Sequence, residues 1–204
     1  RICENIDEIR ECIQPSKRII LCTDGVAGVG KMAQQRQRRF KSAEDFDENE
    51  FNSHCISTGT KFMSYLSKYI DWYIRLKQNT DDNWRRLEVV FSNEKVPGEG
   101  EHKIINYIRK FGKESESFCI HGLDADLIML GMSLNKNDIY ILRDNISRFG
   151  GYESHLIDIS LLKKEIIKRI SWNEDEDSKV SFSDTRGITD FVFMCFLTSI
   201  VFTY

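Results

Sequence analysis

Short apolar runs alternate with stretches of helical period along most of this chain, and three of the runs are followed by acids. Arg18-Ile19-Ile20-Leu21-Cys22 reads as a buried strand, and Asp24-Gly25 comes next. Leu87-Glu88-Val89-Val90-Phe91 is a second such run and leads into Pro97-Gly98-Glu99-Gly100-Glu101-His102. Phe118-Cys119-Ile120 is a third, followed by Gly122-Leu123-Asp124-Ala125-Asp126, and Ile139 to Leu142 reads as a fourth strand. Phe62, Leu66, Tyr69, Ile70, Tyr73 and Ile74 recur at helical steps behind the hydroxyls of Thr58 and Thr60, which predicts a helix to about Lys77. Ile104, Ile105 and Ile108 mark another helix, Leu127 to Leu130 starts a third, and residues 4–14 and 156–170 read as two more. Residues 171–187 read as a polar loop. Strands alternating with helices imply an α/β fold with a mostly parallel central sheet flanked by helices.

Parallel strands bring their C-terminal ends to one edge, and ligands of open α/β sheets bind there. Asp24, Glu99 with Glu101, and Asp124 with Asp126 all fall just past such ends. Gathered carboxylates repel one another unless a cation neutralises them, and hard divalent cations take carboxylate oxygens. The glycines at 98 and 100 keep the backbone thin enough to approach a ligand. Each motif has a plainer reading taken alone. Glu-Gly-Glu is also what a solvated turn looks like, and Asp124 and Asp126 are favoured in the first turn of any helix. Repetition of the pattern favours a metal site. His102 and His121 flank the acids and fit a packed role as well as a functional one.

With 204 residues, 41% of them hydrophobic and 30% charged, the chain reads as one domain with a sizeable core. A net charge of −3 excludes any argument for nucleic acid from bulk charge; a local basic patch is required. Residues 31–42 supply one, with five cations and no acid, before the sign reverses in residues 44–50, which read as an exposed loop. On a helix, Lys31, Gln35 and Arg38 share a face and Arg39 borders it, a compact cluster suited to a terminal phosphate. Gly25 to Lys31 also satisfies G-x-x-x-x-G-K, but Met32 follows where a P-loop needs a hydroxyl, so an NTPase is the weaker alternative. Six scattered cysteines without a C-x-x-C pair read as buried free thiols of a reducing, intracellular compartment. The longest apolar run, Phe191 to Val201, is shorter than the ~20 residues that span a bilayer.

Five segments together resemble the Xrn family of 5′→3′ exoribonucleases, in the family's order. They are Asp24 to Ala27, Lys31 to Phe40, Gly59 to Met63, Pro97 to Ile104 and Gly122 to Leu130. The resemblance implies a PIN-like nuclease core related to flap endonucleases, acting on single-stranded RNA with a 5′-monophosphate in the cytoplasm or nucleus. It implies that Asp24, Glu99, Glu101, Asp124 and Asp126 are metal-site acids for two Mg2+ ions, with Mn2+ as a substitute. Lys31, Gln35, Arg38 and Arg39 would hold the 5′-phosphate. Residues 1–204 would be a partial nuclease domain, lacking the family's amino-terminal strand and its carboxy-terminal part. Val201 stands where a further acid is expected. The resemblance therefore implies an incomplete metal site and little turnover by these residues alone. A module that binds RNA 5′-phosphates without turnover is the alternative.

Overall fold

The computed structural model describes residues 1–43, 52–146, 152–170 and 183–201, and the chain forms two compact units, Arg1–Asn106 and Tyr107–Tyr204. The first unit contains α1 (Ile2–Ile13), β1 (Arg18–Cys22), α2 (Val29–Ala43), a 3-10 turn at Ser53–Cys55, α3 (Lys61–Thr80), α4 (Asp82–Arg85) and β2 (Glu88–Ser92). Helix α5 (Gly100–Phe111) begins in it and runs across the division. Strands β1 and β2 pair in parallel, from Arg18 opposite Glu88 to Cys22 opposite Ser92.

Helix α3 starts where Thr60 Oγ1 accepts the Met63 N–H, a side-chain cap of the kind that satisfies an orphan donor. It buries Met63, Ser67, Ile70, Tyr73 and Ile74. Tyr69, expected on that face, is exposed instead, in a row with Tyr65 and Trp72. The aromatic ring makes a tyrosine count as apolar in a periodic pattern even where it faces water. Trp84 is wholly buried and meets the Tyr73 ring edge-on at 6.0 Å. Helix α1 has no fully buried residue. A polar tie fastens it, since Asp7 accepts from Tyr73 Oη at 2.5 Å and Trp84 Nε1 at 3.2 Å and pairs with Lys77 Nζ at 2.7 Å. Burial pushes the Asp7 carboxyl up, but the bonds from Lys77, Tyr73 and Trp84 together outweigh it and hold the group below its ordinary range.

The second unit holds β3 (Phe118–His121), α6 (Asp126–Met132), β4 (Ile139–Ile146), β5 (Tyr152–Asp158), α7 (Ile159–Ile170) and α8 (Asp184–Val201). Its sheet runs β3-β4-β5, with β3 parallel to β4 and β4 antiparallel to β5. Ile120, Leu127, Ile139, Ile141 and Ile159 form its core.

The mixed α/β character matches the expectation, and β1 to β4 lie within a few residues of the runs read from the sequence. The sheet itself differs: the strands form a two-stranded and a three-stranded sheet, and the third of three pairings is antiparallel. Residues 156–158, expected in a helix, are the end of β5, where they pair with β4. The helix begins only at Ile159, where Asp158 Oδ1 accepts the Leu161 N–H at 2.9 Å. The expected loop at 171–187 gives way to helix α8 at Asp184, and both the rest of it at 171–182 and the acidic stretch 44–50 lie outside the described residues. None of the six cysteines is in a disulfide, but they are half-buried or, at Cys12, exposed. No described helix is long and apolar enough to cross a membrane.

Candidate metal centre

The parallel ladder of β1 and β2 continues past both strand ends. Thr23 N–H donates to Ser92 O at 3.0 Å, Gly25 N–H to Gly98 O at 2.8 Å, and Gly98 N–H to Val26 O at 2.9 Å. Glycine is required for this closeness. A Cβ on Gly25 would lie 1.8 Å from Val96 O, and Gly98 has φ +106°, a conformation that side chains disfavour. The two loops thus form one seam.

Helix α5 rises from that seam, and its start is capped from outside. Asp24 Oδ1 accepts the Gly100 N–H at 2.7 Å, which places a carboxylate at the positive end of the helix. Lys103, one turn into α5, donates from Nζ to Thr23 O and to Asn93 O, both at 2.8 Å. Its ammonium thereby joins the ends of β1 and β2. Burial pushes the Lys103 pKa down, against the pull of Cys22, Asp24 and Glu94. Glu94 is buried just beyond β2 and accepts from the Ser67 hydroxyl of α3. None of these ties was read from the sequence. The signals available were Gly100, too small to be a helix former by choice, and a lysine following the acids.

Glu99 therefore immediately precedes this capped helix, and Glu101 stands in its first turn. Their side chains are only 20% and 14% exposed. One ligand atom from each of Glu99, Glu101 and His102 lies within 4.8 Å of the others, a group able to hold a metal ion. His102 Nδ1 is 3.7 Å from Glu101 Oε1. Two carboxylates suit a hard cation such as Mg2+, and the imidazole adds affinity for Mn2+ and later transition metals. Asp24 lies outside that group, on the same seam, with one oxygen on Gly100.

The basic residues lie on α2, as their spacing predicted. Lys31 Nζ pairs with Glu99 Oε2 at 3.1 Å, Gln35 is half-buried one turn on, and Arg39 is exposed one turn further. The Arg38 side chain lies outside the described residues. Gly25 N–H is engaged by Gly98 O, so this one donor of the loop is not turned toward a phosphate.

Asp124 and Asp126 belong to the second unit. They follow β3 as Asp24 follows β1, Asp126 as the first residue of α6, and both are exposed. His121 at the end of β3 bonds through Nε2 to Asp144 Oδ2 at 2.9 Å, and Ser154 Oγ donates to Asp144 Oδ1 at 2.7 Å. His121 is a packed, paired histidine.

Residues 1–50 and 43–145 match the family described as XRN 5'-3' exonuclease N-terminus. The chain belongs to that family. Its match begins at residue 1, ahead of the first motif that resembled it. Within this family, the chain is 34% identical to 5'-3' exoribonuclease 1 of Saccharomyces cerevisiae, over 97% of the chain and 15% of that protein. It is 33% identical to the Homo sapiens 5'-3' exoribonuclease 1, over 91% of the chain and 12% of that protein. Against the Schizosaccharomyces pombe enzyme of the same name, identity is 40% over 70% of the chain and 12% of that protein. This XRN chain thus spans 12% to 15% of the length of those relatives.

Proposed function

We propose that this XRN region serves a divalent-metal-dependent 5′→3′ exoribonuclease that acts on 5′-monophosphorylated single-stranded RNA and releases nucleoside 5′-monophosphates. The observation that carries the reading is the Lys31–Glu99 contact, which joins the cationic face of α2 to the acidic start of α5. A phosphate-binding face and a metal-binding turn side by side are what removal of a terminal nucleotide needs. Glu99, Glu101, Asp24, Asp124 and Asp126 are the acids that would hold two Mg2+ ions in a PIN-like core. When bound there, the metal would supply activation of a water and stabilisation of the leaving oxygen. The chain's own residues orient. Lys31 neutralises Glu99 and, with Gln35, Arg38 and Arg39, meets the 5′-phosphate by charge-assisted bonds. Asp24 and Lys103 keep the first turn of α5 from shifting.

The test reads binding and turnover separately. Affinities for 5′-phosphorylated and 5′-hydroxyl RNA are compared by fluorescence anisotropy in Ca2+, and mononucleotide release is followed in Mg2+. The phosphorylated end is expected to bind at least about tenfold more tightly, since bonds to charged groups contribute ~1.5–3 kcal/mol each. Lys31→Ala removes that preference, whereas Glu101→Gln leaves it and weakens Mn2+ binding. Equal affinity for the two ends would remove the α2 face from the mechanism. Mononucleotide release that persists in EDTA would remove the metal.

A further inference from the structure

The second unit carries a cleft of about 600 Å3 that the nuclease reading does not use. Its walls are the turn between α6 and β4, one face of α7 and the start of α8, and four lysines line it: Lys136, Lys163, Lys164 and Lys168. Lys164 and Lys168 are one helical turn apart on α7. Asp138 and Asp184 also line the cleft, so the lysines outnumber the acids by two. Among the described residues, no carboxylate forms an ion pair with any of the four. Lys136 Nζ donates to Gly112 O at 2.9 Å and Lys163 Nζ to Leu134 O at 2.7 Å, both neutral carbonyls. An ammonium keeps two further N–H donors after one such bond.

Cations that outnumber the acids lining the same cleft repel one another, and a partly buried one also loses hydration. Burial pushes the Lys163 pKa down, and no acid opposes it. An anion in the cleft relieves both terms. Among mostly polar lining residues, Met132, Leu134, Ile167 and Ile188 supply an apolar floor, of which half-buried Ile167 is the most accessible, and the volume lies in the range of small-molecule pockets. Phosphate alone would leave that floor uncovered. A ligand with a phosphate at one end and a flat apolar group at the other matches both features.

We infer that this cleft is a mononucleotide-binding site, in which the α7 lysines take the phosphate and the apolar floor takes the base. It is separate in sequence from the α2 cations, which all lie in the first unit.

The test is calorimetric titration of the 204-residue chain with AMP, adenosine and inorganic phosphate, and with a 5′-hydroxyl oligoribonucleotide. AMP is expected to bind more tightly than either of its parts. The double variant Lys164→Glu and Lys168→Glu should weaken AMP at least about tenfold, the loss of two charge-assisted contacts. Both side chains are exposed, and the variant's melting temperature confirms that it folds. Because the α2 cations also meet a 5′-phosphate in the proposed nuclease, the double variant is compared in the Lys31→Ala background, where AMP binding that depends on Lys164 and Lys168 should persist. AMP binding lost in Lys31→Ala but kept in the double variant would assign the nucleotide to α2 and overturn the proposal. So would adenosine binding as tightly as AMP, no AMP binding at all, or an oligoribonucleotide that uses these lysines when AMP does not.

Discussion

The two acidic strand ends look alike in sequence and differ in construction. Past β1 and β2, three backbone bonds close a seam, Lys103 bridges both strand ends, and Glu99 and Glu101 are largely covered. Past β3, one backbone bond runs from Gly122 N–H to Leu142 O at 3.2 Å and Arg143 Nη2 donates to Leu123 O at 2.5 Å, but Asp124 and Asp126 stand in solvent. The first edge is preorganised, so its carboxylates are held close before any cation arrives. The second keeps its acids hydrated and loosely held.

The contrast breaks most readily at Gly25. An added methyl 1.8 Å from Val96 O cannot be accommodated without opening the seam. Gly25→Ala is expected to destabilise the first unit by about 3 kcal/mol, the upper range for overpacking. Gly28 has nothing within 4 Å, so Gly28→Ala should change stability by less than about 1 kcal/mol. Urea unfolding of the two variants decides it; equal midpoints would show that the seam is not tight.

Lys103→Met should cost about 2 kcal/mol, because two carbonyls lose a charged donor. Amide hydrogen exchange is the sharper measurement. Protection should fall at Thr23, Gly25 and Gly98 and hold in β3 and β4. Uniform loss across both units would mean that the lysine supports the whole chain and not this edge.

Acid separates the units more gently. Asp7 in the first unit is held low against its own burial by three donors, and Asp144 in the second chiefly by His121 and then by Ser154. A depressed carboxylate stabilises fully above its unfolded value of about 3.9 and loses that stabilisation as pH falls through the folded value. Lowering the pH from 6 toward 2 (roughly the span over which acids titrate) should therefore loosen α1 and the β4–β5 hairpin. Asp7→Asn should flatten the acid limb read from the fluorescence of Trp84, which Asp7 touches. An unchanged limb would show that the tie to α1 carries no linkage.

The smallest effect belongs to the open edge. Asp124→Asn and Asp126→Asn should shift stability by no more than about 0.5 kcal/mol in thermal melts, as for other exposed substitutions. A loss as large as that of Lys103→Met would end the distinction between the edges.

Local pattern determined much of this. Strands β1 to β4, the helical α2 and α3, and the acids past each strand follow from apolar runs, helical spacing and caps, all set by neighbours in the chain. The cationic face of α2 was legible for the same reason. What the sequence could not reveal depends on residues far apart. The antiparallel β5 exists because β4 offers it a backbone edge, so Leu156 to Asp158 pair as a strand where a helix was expected. Asp24 reads as one more metal acid, yet it also caps a helix 76 positions away. His102 has a ligand atom within 4.8 Å of those of Glu99 and Glu101 in the turn that this cap starts. Residue types and spacing choose which groups are near in sequence. Which carboxylate is hydrated, paired or held beside another is decided by what covers it, and the fold alone supplies the cover.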